Sequence, residues 1–398
     1  MPRGVVQPDA EQRAVLEAVE AAAGPALALS RWMADHPELS LEERATSERY
    51  RAHLEELGFA VETGVGGMPT AFLARRGGAG APVCAALLAE MDALPGIGHA
   101  CGHNLSGPAS LLAAQALAAA LPESALRLLV VGCPAEEIGV GKRRLVEAGV
   151  FAEADVAMMA HASDMRRAHR LFLGNRKVEF VFHGRAAHAA AYPEQGINAL
   201  DAVIALFVNV GLLRQQLPRS ARIHGIITDG GKAPNVIPER AAALFWVRAL
   251  EDHVLEGAFE RVLQCASGAA DATGTRLEIV RVAGESPPMQ PNLPLADLYR
   301  RQLELLGLPE SHHAPDASIG SSDITHVSRV VPTIHPNFPI GDDLQLHTRA
   351  FAAATTSPRG EQGLLEGARA LALTVLELVR SHAAREAVAA AHPLRNAS

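Results

Sequence analysis

The 398-residue sequence is poor in aromatic residues and in cysteine, with 11 Phe, 3 Tyr, 2 Trp and 4 Cys. Cys84, Cys101, Cys133 and Cys265 show no CxxC spacing and are too sparse for a disulfide framework. That excludes a small stapled secreted scaffold and points to a reducing, cytoplasmic compartment. No stretch reaches the roughly 18 unbroken apolar residues of a membrane span. The opening MPRGVVQPDAEQR also lacks the apolar core of a signal peptide. Blocks of like charge are missing: 36 basic and 44 acidic residues, a net of −8, are interspersed. Neither nucleic acid nor a membrane is therefore the expected partner; a small molecule is. What is plentiful is histidine, with 17 copies, several beside Gly, Cys or Glu. That pattern raises the expectation of metal chemistry.

The length leaves room for two packed units, or for one unit interrupted by an insertion. Residues 9–56 carry helical periodicity broken at His36-Pro37-Glu38-Leu39-Ser40, where Ser40 is positioned to cap the second helix. The runs Val83–Ala89 and Ala125–Val131 are continuously apolar, as in parallel strands covered on both faces, and an Ala/Leu helix over 108–121 separates them. A short helix over 142–148 and a strand over 155–160 follow, with His161 just beyond. This is an α/β rhythm in which polar groups fall at strand C-termini, where open α/β sheets place their ligand sites. From about 173 to 287 the order becomes β-α-β-β-α-β, as in a ferredoxin-like α+β unit. The expected architecture is thus a catalytic α/β domain (1–172 plus 288–398) interrupted by a two-layer insertion (173–287). A long closing helix is expected over 361–381.

Five clusters stand at loop positions: Met91-Asp92, His99-Ala100-Cys101-Gly102-His103-Asn104, Glu136-Glu137, Ala160-His161 and Leu346-His347-Thr348. Together they offer sulfur, nitrogen and oxygen donors suited to Zn or Mn, and by the same ligand preferences to Co or Ni. One such cluster alone would read as a capped turn or a buried residue; delivery from several strand ends gives the set its meaning. Glu136 and Glu137 follow a buried strand. One carboxylate of such a pair can bind metal while its neighbour takes a proton from water that the metal has acidified.

Met91-Asp92-Ala93-Leu94-Pro95, His99-Ala100-Cys101-Gly102-His103-Asn104 and Pro134-Ala135-Glu136-Glu137 resemble the signature of the M20 metallopeptidases, in the amidohydrolase branch that uses Cys-Gly-His. Ala187-His188-Ala189, Gly196–Ala202, Arg222–Ile227, Pro234–Pro238 and Gly320–Asp323 extend the resemblance from about residue 35 to 380. The wording is similar to the Xaa-Arg and β-alanyl-lysine dipeptidase subgroup, and less fully to aminobenzoyl-glutamate hydrolases. The resemblance implies a mixed-sheet, zinc-peptidase-like catalytic domain with an inserted lid and dimerisation domain, acting as a homodimer. It implies two divalent ions held by Cys101, His103, Glu137, His161 and His347, with Glu136 as general base and Asp92 in support. It also implies that His188 reaches the partner's active site to stabilise the oxyanion, and that Asn235 and Arg248 hold the substrate's carbonyl and carboxylate.

Apart from the resemblance, Arg248 reads as a solvated strand end, His224 as a strand-edge residue with only a weak claim to substrate binding, and Asn235 as a turn former. His312, His313, His326 and His335 read as loop or packing residues. The segment Ile138-Gly139-Val140-Gly141-Lys142 departs from the subgroup's acidic, Gly-rich loop, so the wall beside the metals differs. The expected function is metal-dependent hydrolysis of an amide bond in a small carboxylate-bearing substrate, foremost a dipeptide with a basic C-terminal residue. An N-acyl amino acid or aroyl-glutamate is the second substrate class. A single-metal site and a non-catalytic binding protein on the same scaffold are the remaining alternatives.

Overall fold

A computed structural model describes residues 7–312 and 319–393, and His313 lies outside them. In chain order the first part carries α1 (Ala10–Asp35), α2 (Arg44–Glu56), β1 (Ala60–Thr63), β2 (Phe72–Arg76), β3 (Cys84–Glu90), α3 (His103–Ala120), β4 (Arg127–Cys133), α4 (Gly141–Glu147), β5 (Val156–Met158) and β6 (His161–Ser163). The middle carries β7 (Gly174–His183), α5 (Ala199–Leu213), β8 (Arg222–Asp229), β9 (Arg240–Ala249), α6 (Asp252–Thr273) and β10 (Arg276–Arg281). The remainder carries α7 (Leu293–Leu305), α8 (Ile324–Val327), β11 (Thr333–Ile334), β12 (Asn337–Pro339), α9 (Arg349–Ala354), α10 (Pro358–Arg380) and α11 (His382–Ala390). Two units result, one of residues 1–171 and 290–398, the other of 172–289.

In the first unit the continuous apolar runs become central strands. Every residue of β3 is buried, and the sheet order is β1-β2-β4-β3-β5-β11. β3 runs parallel to β4 and β5, and β5 parallel to β11, while β1 and β2 are antiparallel, so the sheet is mixed. α3 is buried along most of its length and packs between α1 and α10, which is why its sequence is Ala/Leu on all sides. Parallel alignment brings the C-terminal ends of β3, β4 and β5 to one edge. A separate two-stranded parallel sheet, β6 with β12, carries His161 as its first residue.

Ser40 does not cap α2. Its hydroxyl donates to Asp92 Oδ2 at 2.7 Å. The first N–H groups of α2 are met by Glu38, whose two carboxylate oxygens accept from Ala45 and Thr46 at 2.9 and 2.8 Å. The longer acidic side chain reaches over the turn and frees the serine for the loop after β3.

The second unit has the antiparallel order β10-β7-β9-β8, the ferredoxin-like arrangement for a β-α-β-β-α-β chain. Period-two alternation turns Val178, Phe180 and Phe182 of β7 and Ala243, Phe245 and Val247 of β9 to the face covered by α5 and α6. Where the insertion begins and ends, its strands run side by side: the Met289 N–H donates to the Phe172 carbonyl at 3.1 Å, and Asn175 pairs with Ser286.

Gly141, which opens α4, is a steric requirement. A Cβ there would lie 1.7 Å from the Pro134 carbonyl oxygen, a backbone atom. Gly141→Ala is expected to cost about 1–3 kcal/mol as an overpacked site. Gly211→Ala, in an exposed turn of α5 with nothing within 4 Å, is expected to gain up to about 1 kcal/mol from helix propensity. Urea unfolding of both variants checks the contrast.

Candidate metal centre

The polar loops converge because each is tied to another by hydrogen bonds, most of them through a buried carboxylate. After β3, Asp92 is fully buried; its Oδ2 accepts from Ser40 Oγ and, at 3.0 Å, from the Glu137 N–H. After β4, Ala135 adopts a left-handed φ of 58°, held by Glu43, whose Oε1 accepts from the Ala135 N–H at 2.8 Å. That turn aims Glu136 and Glu137 back at Asp92. His347 is also left-handed, with φ 63°, and its N–H donates to the Ala100 carbonyl at 2.9 Å, joining its loop to the Cys101 loop. Such conformations are strained for residues other than glycine, and these two lie beside the candidate donors. Gly102 explains the form of Cys101-Gly102-His103. Its φ is 88°, and a Cβ there would lie 2.6 Å from Ala162 Cβ, so only glycine lets the α3 N-terminus approach β6.

The resulting geometry brings together all five residues named as ligands, together with Glu136 and Asp92. Donor atoms of Cys101, His103 and His161 lie within 4.8 Å of one another, and so do those of Cys101, His103, Glu136 and Glu137. His347 Nε2 is 3.4 Å from Glu137 Oε2, and His103 Nε2 is 3.9 Å from Glu136 Oε2. The tautomers follow from the partners. His103 Nδ1 lies 2.8 Å from the Asp92 carbonyl and His161 Nδ1 lies 2.7 Å from the Ala162 carbonyl. A carbonyl only accepts, so both rings carry N–H at Nδ1, and whichever ring is neutral turns its Nε2 lone pair inward. His103 Nε2 and Glu137 Oε1 are buried with no hydrogen-bond partner among the described residues. Buried orphans of this kind, beside a thiol, fit divalent cations.

Electrostatics agree. Burial works to raise the Asp92 pKa, but His103, the Glu137 N–H and Ser40 outweigh it and hold it at about 2. Glu137 is pushed up by burial, with Glu136 and Asp92 adding to the shift against the opposing pull of His103. Burial opposes charge on His103 as well, yet Glu90, Cys101 and Asp92 lift its pKa well above the ordinary value. Burial raises the Cys101 thiol and lowers His161 and His347.

Three residues to which the sequence assigned no role stand in the same place. Glu90, Lys142 and Asp323 are fully buried; Lys142 Nζ contacts Glu90 Oε1 at 2.6 Å and Asp323 Oδ1 at 2.5 Å. His335, read as a loop or packing residue, is buried with its ring stacked on His161 at 5.0 Å. Alongside them, a cleft of about 460 Å³ includes Ser163, Asp164, Arg167, Arg170 and Asp343 in its lining, between the segments that carry His161 and His347.

His188, Asn235, His224 and Arg248 belong to the second unit. His188 pairs with Val236 in an isolated bridge, and the Ala189 N–H donates to the Asn235 carbonyl at 3.0 Å, so His188 and Asn235 share one loop cluster. His188 Nδ1 accepts from the N–H groups of Ala190 and Ala191, which leaves Nε2–H as an outward donor on an exposed ring. Arg248 and Lys177 lie over the Trp246 ring at 4.9 and 4.3 Å, and the His224 ring is 6.1 Å away. Arg248 is therefore no plain solvated strand end, and His224 sits in its basic cluster. Trp246 and Lys177 were not singled out by the sequence, although period-two alternation in β9 puts Trp246 and Arg248 on one face.

Residues 173–273 match the family of peptidase dimerisation domains. Across 95% of its length the chain is 38% identical to the Xaa-Arg dipeptidase of Mus musculus, covering 91% of that protein. It is 36% identical to a p-aminobenzoyl-glutamate hydrolase chain of Escherichia coli, over 69% of this chain and 61% of that one. Among solved structures it resembles a dinuclear metal-binding peptidase of the M20 family from Bacillus subtilis. The TM-score is 0.72 at 21% identity, covering 90% of this chain and 99% of that one.

Metal binding requires deprotonated donors, whereas burial or neighbouring charge raises the pKa values of Glu137, His103 and Cys101. Metal uptake is therefore expected to expel protons, and affinity to strengthen as pH rises. His161, whose pKa is lowered, contributes no proton. Calorimetric titration with Zn or Mn in two buffers of different ionisation enthalpy checks this; identical apparent enthalpies would contradict it.

Proposed function

The chain belongs to the M20 metallopeptidase family, and on that premise we propose that it is a two-metal dipeptidase releasing a basic C-terminal residue. Hydrolase chemistry comes with the family. The observation that carries the reading is the convergence of Cys101, His103, Glu137, His161 and, through Glu137, His347 beside a second carboxylate, Glu136. These five residues would hold Zn or Mn, with Co or Ni as further candidates. Bound divalent ions supply acidity to water and polarisation to the scissile carbonyl.

Glu136 takes the proton from the attacking water and passes it to the leaving amine. Asp92 orients His103 and the Glu137 backbone. The roles proposed for the second unit are oxyanion stabilisation by the Nε2–H of His188, carbonyl binding by Asn235 and carboxylate binding by Arg248 with His224 beside it. An outward imidazole donor and a basic cluster around Trp246 support them. The cleft beside His161 and His347 bears both carboxylates and guanidinium groups, in keeping with a substrate that carries both signs. Similarity to the Xaa-Arg dipeptidase over nearly the whole chain favours a basic leaving residue.

Aroyl-glutamate or N-acyl amino acid hydrolysis is the second reading, favoured by the identity to the aminobenzoyl-glutamate hydrolase chain. A binding protein without catalysis would have no use for Glu136 beside Glu137. A homodimer through the insertion is part of the proposal. Ile204, Val208 and Leu212 form an exposed stripe at four-residue spacing on α5, and the edge strand β8 exposes Ile226 and Ile227. Four free cysteines, three of them buried, support a reducing cytoplasmic setting.

Amine release from Xaa-Lys and Xaa-Arg dipeptides, set against aroyl-glutamates and N-acetyl amino acids, is expected to favour the basic dipeptides and to stop on chelation. Chelator-resistant release would sink the metal reading, and preference for an aroyl-glutamate would install the second one. Glu136→Gln is expected to keep its metal while losing about 10²- to 10⁴-fold in kcat. Val208→Asp with Leu212→Asp is expected to halve the mass seen by light scattering; an unchanged mass places the dimer contact elsewhere.

A further inference from the structure

Glu90 ends β3 with both carboxylate oxygens buried, and the two face different company. Oε1 accepts from Lys142 Nζ at 2.6 Å. Lys142 is itself fixed by Asp323 twice, Nζ to Oδ1 at 2.5 Å and backbone N–H to Oδ2 at 2.8 Å. All three side chains are wholly removed from solvent. Such a cluster seldom adds stability over an apolar trio of the same volume, so its presence asks for another reason.

Oε2 supplies one. It has no hydrogen-bond partner among the described residues, and it lies 3.3 Å from His103 Nε2 and 3.8 Å from His161 Nε2. Both rings carry N–H at Nδ1, because those nitrogens face the Asp92 and Ala162 carbonyls. With His103 deprotonated, as metal binding requires, three lone pairs, two imidazole and one carboxylate, converge in a buried space with Cys101 Sγ 3.7 Å from His161 Nε2. Facing lone pairs repel unless a cation lies among them. A Glu90 carboxylate oxygen also falls within one donor group with His161 and His335, and within another with Glu136 and Asp323.

We propose that Glu90 is a further metal-ligating carboxylate, its free oxygen placed between His103 and His161, and that Lys142 and Asp323 are positioning residues that hold it there. The inference rests on the metal-centre reading above and adds a donor to it. Lys142 neutralises one end of the carboxylate and fixes its plane. Asp323, from the far side of the insertion in sequence, locks the ammonium. Orienting partners of this kind are worth roughly 10- to 100-fold in metal affinity.

The test measures metal rather than turnover. Wild type, Glu90→Gln and Glu90→Asp are equilibrated with buffered Co or Zn, and bound metal is read by elemental analysis, together with the cobalt d–d spectrum. Glu90→Gln keeps an acceptor for Lys142 and offers an amide N–H to His103, so the pocket stays satisfied without a ligand charge. Glu90→Asp keeps the charge and withdraws the oxygen by one methylene. Each is expected to weaken at least one ion by tenfold or more and to alter the cobalt spectrum, with circular dichroism verifying the fold. Folded variants with wild-type stoichiometry, affinity and spectrum would overturn the proposal and leave Glu90 as a hydrogen-bond acceptor for a protonated His103. Wild-type protein that takes up no metal would fail the underlying metal reading instead, and the inference with it.

Discussion

Crowded negative charge is the constraint around which the first unit is organised. Glu90, Asp92 and Asp323 are fully buried, and Glu136 and Glu137 nearly so. Glu43 is buried beside them, with its oxygens taken up by the Leu41 and Ala135 N–H groups and the Thr70 hydroxyl. Against this stand Lys142 and the field of the half-buried Arg170. Carboxylates withdrawn from water at this density are costly unless something positive arrives, and the loops are built so that it can. Hydrogen bonds saturate the outer oxygens, while Glu90 Oε2 and Glu137 Oε1 on the inner side have no hydrogen-bond partner among the described residues.

Local backbone geometry serves the same end. Gly102 lets the start of α3 touch β6, Gly141 lets α4 begin against the Pro134 carbonyl, and Ala135 and His347 are held in left-handed conformations by partners across the site. None of these features contributes much to the core, which is carried by β3, β4, α3 and α10. The rigid layers beneath fix the loops, and the loops turn that rigidity into aim.

Much of this was legible in the sequence because it is written in local pattern. The switch from continuous apolar runs to period-two alternation marked the insertion, and the β-α-β-β-α-β order already implied the observed strand arrangement. That Cys101, His103, Glu137, His161 and His347 would come together was legible through motif resemblance and their recurrence after strands. What stayed hidden depends on distant partners. Lys142 meets Asp323 across 181 positions, and nothing near either residue announces a buried ion pair. Glu90 drew no reading of its own because it directly follows the apolar run Val83–Ala89. Ser40 read as a helix cap because the hydroxyl of a serine before a helix has that local option, and only the fold offers it Asp92. His335 read as a loop or packing residue, and only the fold shows its ring stacked on His161. Short β6, β11 and β12 are defined by pairing partners far along the chain, so periodicity could not bound them.

The interrupted topology also fixes an order of assembly. Cys101, His103, Glu137 and His161 precede the insertion, whereas His347 follows it, along with β11, β12 and α10. A ribosome thus delivers a first half whose sheet ends at β5, with that edge open, and whose α3 lacks one of its flanking helices. The insertion has its own core and closes its ends side by side, so it can fold as soon as it emerges. The surrounding unit must wait. During synthesis the nascent chain holds an incomplete nest of acids and imidazoles in the open for the time it takes to make an entire second domain, and the last donor to arrive is the one that completes it.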